Sequence, residues 1–193
     1  AVRAVVGQQV FVATARSPQS CVAAAKAGHH LQTVPNAMSK AELGERIELF
    51  RSSWAAAGHT EPPRIHLSFP CVVSTDAHRA RSAGRLDEER NTLAISAATK
   101  AWEHTTSSAY PGYEKLADIG LRDDFDVKVA DDKLLVGTPD SVREQLERIG
   151  ERLGDDITIS LGIHSGHLPV ECAEETLRLM AEHVLPKFTS DQV

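Results

Sequence analysis

An α/β fold with parallel strands is what this sequence predicts, on three observations. Short β-forming runs alternate with helical patterns, capping and stop signals bracket the helices, and 193 residues suffice for one domain with a real core. With 41% apolar and 25% charged residues, the chain reads as an ordinary globular protein rather than a disordered one. Its formal charge of -6 and its scattered Lys and Arg leave no basic stripe, which argues against nucleic acid as a partner. No apolar run approaches the roughly 18–20 residues of a membrane helix. The opening "AVRAVVGQQVFVA" has no convincing cleavage signal, so a secretory peptide is not expected. Cys21, Cys71 and Cys172 are widely spaced, sit in apolar patterns and form no C-x-x-C pair, so buried thiols and a reducing, cytoplasmic compartment are expected. The chain opens without Met and almost directly into a strand, which reads as a fragment or a processed chain.

The first strand run is Gln9 to Ala13, "QVFVA". Ser17 follows as an N-cap with Pro18 at the first helical position, where its missing N–H costs nothing. That helix runs to Lys26, and Gly28 supplies the left-handed stop. A second run covers His30 to Val34. After it, Ser39 to Glu42, "SKAE", is a capping box, and Leu43, Ile47, Phe50 and Trp54 mark the apolar face of a helix ending at Gly58. The third run, Arg64 to Ser74, carries Pro70, so the strand is expected to end or bulge there. A polar helical segment from about Thr75 to Glu103 comes next. The fourth run is Ile157 to Ile163, preceded by a helix with Val142, Leu146, Ile149 and Leu153 on one face. Val170, Ala173, Leu177, Met180 and Val184 form a last stripe that ends at Pro186. Strand and helix repeated in this order imply helical crossovers. The stretch from about 105 to 136 breaks the pattern: it is turn-rich and acidic, and its length reads as an insertion or lid within a single domain spanning 1–193.

Three blocks carry a family resemblance. "LVGTPDSVREQLERI" (135–149), "ISLGIHSGHLPVECAEETLRLMAEHVLPKF" (159–188) and "VFVATARSPQSCVAAAKAG" (10–28) resemble segments of the luciferase-like flavin-dependent monooxygenases and stand in the same order along the chain. Members are (β/α)8 TIM barrels of commonly about 300 residues or more that bind flavin at the C-terminal ends of the strands. The resemblance covers the C-terminal half, about strands 5–8, with the long insertion falling before the last strand. Missing the first four strands would leave two open sheet edges and an apolar inner face, so association with the absent half or with another copy in a homo-oligomer is expected. It further implies reduced flavin (FMN) supplied by a separate flavin reductase, dioxygen and a small organic substrate. The alternatives are a deazaflavin-dependent hydride transfer, as in one branch of the family, or a non-catalytic half-barrel that binds or assembles.

Within that frame the turn after the first strand is the foremost candidate. A helix N-terminus offers free N–H groups and a partial positive charge suited to phosphate. Ala13 and Ala15 are small, Thr14 and Ser17 bring hydroxyls, and Arg16 brings an ionic donor. The plainer reading has Ser17 simply capping the helix and Arg16 in solvent. The resemblance implies contact with the phosphate end of the flavin, although the glycines often present at this turn in the family are missing here. Thr33 or Gln32, near the end of the second strand, and His164, just past the fourth, are candidates to line a substrate pocket; alternation lets only one of Thr33 and Gln32 face inward. Tyr110 and Tyr113 are candidates to cap it. His164 and His167 lack the partners of a metal site, and Asp123, Asp124 and Asp126 lack the spacing of a calcium loop, so no metal is expected and the acidic run reads as solvated. No nucleophile–base pair is legible, as befits a reaction whose chemistry the cofactor carries.

Overall fold

Why the chain adopts its first elements follows from local chemistry. Ser17 accepts the Ser20 N–H at 3.2 Å, and with Pro18 it starts helix α1 (Pro18–Lys26). Gly28, at φ 70°, ends the turn that follows. Ser39 and Glu42 close the expected capping box, each side chain bonded to the other's backbone N–H, and begin α2 (Lys40–Ala56). The computed structural model describes residues 10–14, 17–100, 124–154, 156–163 and 166–188. It divides into two compact units, Ala1–Ser68 with Gly150–Ser160, and Phe69–Ile149 with Leu161–Val193.

In the first unit, strands β1 (Phe11–Ala13), β2 (His30–Thr33) and the start of β3 (Ile65–Val73) are parallel neighbours in that order. Phe11 sits opposite His30, and Leu31 opposite Ile65. The parallel crossovers run through α1 and α2, as strand–helix alternation requires. Leu43, Ile47, Phe50 and Trp54 of α2 are buried, as their spacing predicts, together with Leu31, Ile65 and Leu67. Each such side chain contributes roughly 1.5–3 kcal/mol of transfer free energy. Arg51 donates through Nε to Asp156 at 3.0 Å and through its Nη2 to the Leu153 carbonyl at 2.5 Å, so α2 is also held by residues about a hundred positions away.

The second unit takes over β3 from Phe69, pairs Cys71–Val73 in parallel with β4 (Leu135–Gly137), and carries α3 (Ala77–Thr99), α4 (Phe125–Ala130) and most of α5 (Pro139–Leu153). Strand β5 (Ile157–Gly162) also pairs with β3, and α6 (Val170–Leu179) follows it. Val72, Phe125, Leu134 and Val136 form a buried cluster joined by Ala83, Val129 and Leu168. Gly84 of α3 lets the helix approach β4: a Cβ there would lie 2.7 Å from Val136 Cγ1.

Four expectations change. Pro70 neither ends nor bulges the strand: β3 runs unbroken through it. The register with β2 covers Ile65–Leu67 and that with β4 Cys71–Val73, so Pro70 falls between these two and neither of them needs its N–H. The acidic run is solvated only in part: Asp124 and Asp126 are exposed, but other members of the run are buried. Asp124 caps α4 by accepting the Val127 N–H at 2.8 Å, Phe125 is buried, and Asp132, 2% exposed, pairs with Arg148 at 2.7 Å. The turn-rich region therefore holds a helix and a strand from Asp124 onward. Finally, the last stripe holds only in part: Ala173, Met180 and Val184 are buried, but Val170 and Leu177 are exposed and Thr176 and Leu179 are buried in their stead.

Candidate functional site

The C-terminal ends of β1 and β2 lie side by side in the first unit, and ligands of parallel α/β folds bind at such ends. Ala13 registers with Gln32, and the next residue, Thr14, donates its N–H to the Gln32 carbonyl at 2.9 Å. Thr14 and Thr33 thus stand at the same level on adjacent strands. Both are buried, whereas Gln32 is half-buried, so of the two candidates at the end of β2 it is Thr33 that packs inward. Ala13 is exposed.

The hydroxyls differ in how they are used. Thr14 Oγ1 lies 3.5 Å from the Cys21 sulfur on α1. Ser17 Oγ is committed twice, accepting from Ser20 and donating to Gln19 Oε1 at 3.1 Å, which is the behaviour of a helix cap. Thr33 Oγ1 has no hydrogen-bond partner among the described residues although the side chain is only 4% exposed. A buried hydroxyl without a partner costs on the order of 1–3 kcal/mol, so this atom is the one in the site that a ligand would satisfy. Ala15, Arg16 and His164 lie outside the described residues, as do Tyr110 and Tyr113. The sequence names Thr14, Ser17 and Thr33 as candidates; strand pairing sets Thr14 beside Thr33, and of these hydroxyls it is that of Thr33 that is left without a partner among the described residues.

A polar cluster at the end of β3, in the second unit, had no sequence signal. Ser74, 4% exposed, donates to Glu175 at 2.8 Å, and Glu175 pairs with Arg79 at 3.2 Å. Next to it Thr176 accepts the Val73 N–H at 3.0 Å and donates to the Val73 carbonyl at 3.3 Å, doing for β3 what a neighbouring strand would do. The Asp76 carboxyl is held below its usual range by the backbone N–H groups of Arg79 and His78 that it caps. Their spacing of about a hundred residues hides this cluster from any local motif.

The three cysteines are free thiols. Complete burial pushes the Cys71 thiol up to about 12, whereas Cys172 is partly accessible. Alkylation of the native protein near neutral pH is therefore expected to label Cys172 and spare Cys71 until unfolding, as peptide mass spectrometry would read; early labelling of Cys71 would contradict the packing. Among the described residues no helix is long and apolar enough to cross a membrane, and no group of three or more His, Cys, Asp or Glu is placed to hold a metal.

Known proteins share this arrangement. The monooxygenase RslO1 from Streptomyces bottropensis is 35% identical and superposes with a TM-score of 0.76 over 94% of this chain and 48% of its own. The oxygenating constituent of 3,6-diketocamphane monooxygenase from Pseudomonas putida, solved in complex with FMN, gives 21%, 0.62, 93% and 48% on the same measures. Flavoprotein 390 shares the fold at 12% identity and a TM-score of 0.62, with 97% of this chain and 70% of its own covered. No curated protein matches the chain. The chain spans about half the length of the first two of these structures. The family model described as luciferase-like monooxygenase matches residues 2–156, and with parallel strands, helical crossovers and a 35% identical relative in agreement, the chain belongs to the luciferase-like monooxygenase family.

Proposed function

We propose that this chain forms about strands 5–8 of a (β/α)8 barrel in a flavin-dependent monooxygenase that acts on a small organic substrate. The observation that carries the reading is the unpartnered Thr33 hydroxyl beside Thr14, at the C-terminal ends of parallel strands. The residues present fit a flavin. Thr33 Oγ1 has a hydrogen bond to give, and the first turn of α1 presents N–H groups to an anion. Reduced flavin, when bound, supplies the electrons that activate dioxygen. The protein's own part is narrower. Thr33 orients the ligand at the end of β2. The α1 N-terminus, with Ala15 and Arg16 in the turn before it, holds the phosphate. Coverage of half the relatives' length supports the need for the remaining strands, from the same protein or a second copy, and a flavin reductase is the expected source of reduced flavin.

Two measurements test this. With reduced flavin and a panel of small ketones and aromatics, oxygen from labelled dioxygen is expected in the product; failure of the protein to bind flavin at all would sink the proposal. Thr33→Val separates the roles. Removing an unmet buried hydroxyl is expected to raise stability by up to about 1 kcal/mol while weakening flavin or substrate binding roughly 2- to 10-fold. Unchanged binding by titration calorimetry would remove Thr33 from the site.

A further inference from the structure

At the opposite ends of the same strands lies a cavity of about 520 Å³, lined by Val10, His29, His30, Trp54, His59 and Arg64 among others. His30 is the residue around which it is built. It is 8% exposed, its ring stacks on Trp54 with centroids 5.4 Å apart, and Phe11 of β1 packs against it at 5.1 Å. Its Nδ1 accepts the backbone N–H of Arg64 at 3.2 Å, just ahead of β3. One imidazole therefore touches β1, α2 and the entry to β3.

The hydrogen bonds define the proton positions. A backbone N–H can only donate, so His30 Nδ1 is bare and the ring is neutral with its proton on Nε2. His59 Nε2 lies 2.7 Å from the Ala25 carbonyl, which can only accept, so His59 donates there, and its ring packs against Trp54 at 4.5 Å. The charged and titratable groups around His30 are His29 just before its own strand, Arg64 and Glu61 on the segment before β3, and His59 after α2. His66 of β3 reaches the cluster through Phe11 at 6.0 Å. From β1 and from α2 the contacts are Phe11 and Trp54, which carry no charge.

We propose that His30 is an acid-sensitive latch that joins the N-terminal ends of β1, β2 and β3 while neutral and releases them when protonated. A proton on Nδ1 would point at the Arg64 N–H, setting donor against donor and breaking the bond. It would also place a cation in a buried ring stack beside Arg64 and His29. In accord with this geometry, burial first, then Arg64, then His29 hold the His30 pKa below its ordinary 6.5. The sign follows from linkage. A histidine whose folded pKa is depressed contributes its full stability above 6.5, and that contribution is lost as pH falls through the folded value.

The test compares the protein with His30→Asn, whose Oδ1 keeps an acceptor for Arg64 but cannot be protonated. Between about pH 8 and about pH 5 the denaturation midpoint of the parent is expected to fall, and the fall is expected to shrink by about half or more in the variant. An equal fall in both overturns the latch. Should the variant not fold, the parent answers alone by NMR. The His30 ring is expected to titrate below 6.5, with loss of the Arg64 amide's protection over the same range. Titration at or above that value, or an Arg64 amide that does not follow, overturns the proposal.

Discussion

Replacing Lys128 by Met is expected to lower the free energy of unfolding by about 3–5 kcal/mol. The ammonium lies 2.5 Å from Glu88 Oε1, and the two side chains are 3% and 7% exposed. Thr92 donates to the same carboxylate oxygen at 3.2 Å. Taking both charges out of water is costly, and their attraction repays it only while both are present. Removing the lysine alone leaves a buried carboxylate facing a thioether. The pair joins α3 to α4, within the second unit, so the loss is expected in its cooperative unfolding. Urea denaturation of Lys128→Met, Glu88→Leu and the double variant checks this. The double variant is expected to recover much of the deficit, because neither charge of the pair is then left buried alone. Purely additive losses would show that the two residues act independently.

Thr176→Val is expected to cost about 2–5 kcal/mol, nearly as much, without creating a cavity. The side chain is 1% exposed, and valine has almost its shape. What disappears is the hydroxyl that satisfies both the N–H and the carbonyl of Val73. Each buried backbone group left unmet costs about 1–3 kcal/mol. Val73 is the last residue of β3, and its amide is expected to lose hydrogen-exchange protection before the rest of the strand does. Thr176→Ser, which retains the hydroxyl, is expected to keep that protection. Equal loss in Ser and Val variants would assign the effect to packing of the methyl group instead.

The elements that were legible from sequence are those governed by neighbours within one helical turn. Ser17 with Pro18, the Ser39–Glu42 box and Gly28 act over one to four residues, and each performs its expected role. The inward faces of α2 and α5 were equally plain, because their four apolar residues recur at helical spacing in a polar background. Where α6 carries apolar residues on several sides, spacing alone could not decide the phase, and Val170 and Leu177 turned out to be exposed. Family membership was legible through ordered blocks rather than through any catalytic motif. Of the candidate site, the sequence could name Thr14, Ser17 and Thr33 as polar residues near strand ends. It could say that Ser17 caps a helix, but not that the Thr33 hydroxyl is left without a partner among the described residues.

The sequence by itself determined the starts of α1 and α2 and the alternation of strand and helix outside the stretch from about 105 to 136, and hence an α/β chain with parallel crossovers. Those outcomes rest on local hydrogen bonds and on the period of apolar residues, which are encoded wherever the residues stand. Tertiary structure alone decided that β3 passes through Pro70, that Asp132 and Lys128 are buried, and that Thr176 completes the end of β3. The physical reason is distance along the chain. The partners of these groups lie up to 103 positions away, and burial makes each polar atom's cost depend on a partner that no local pattern can announce.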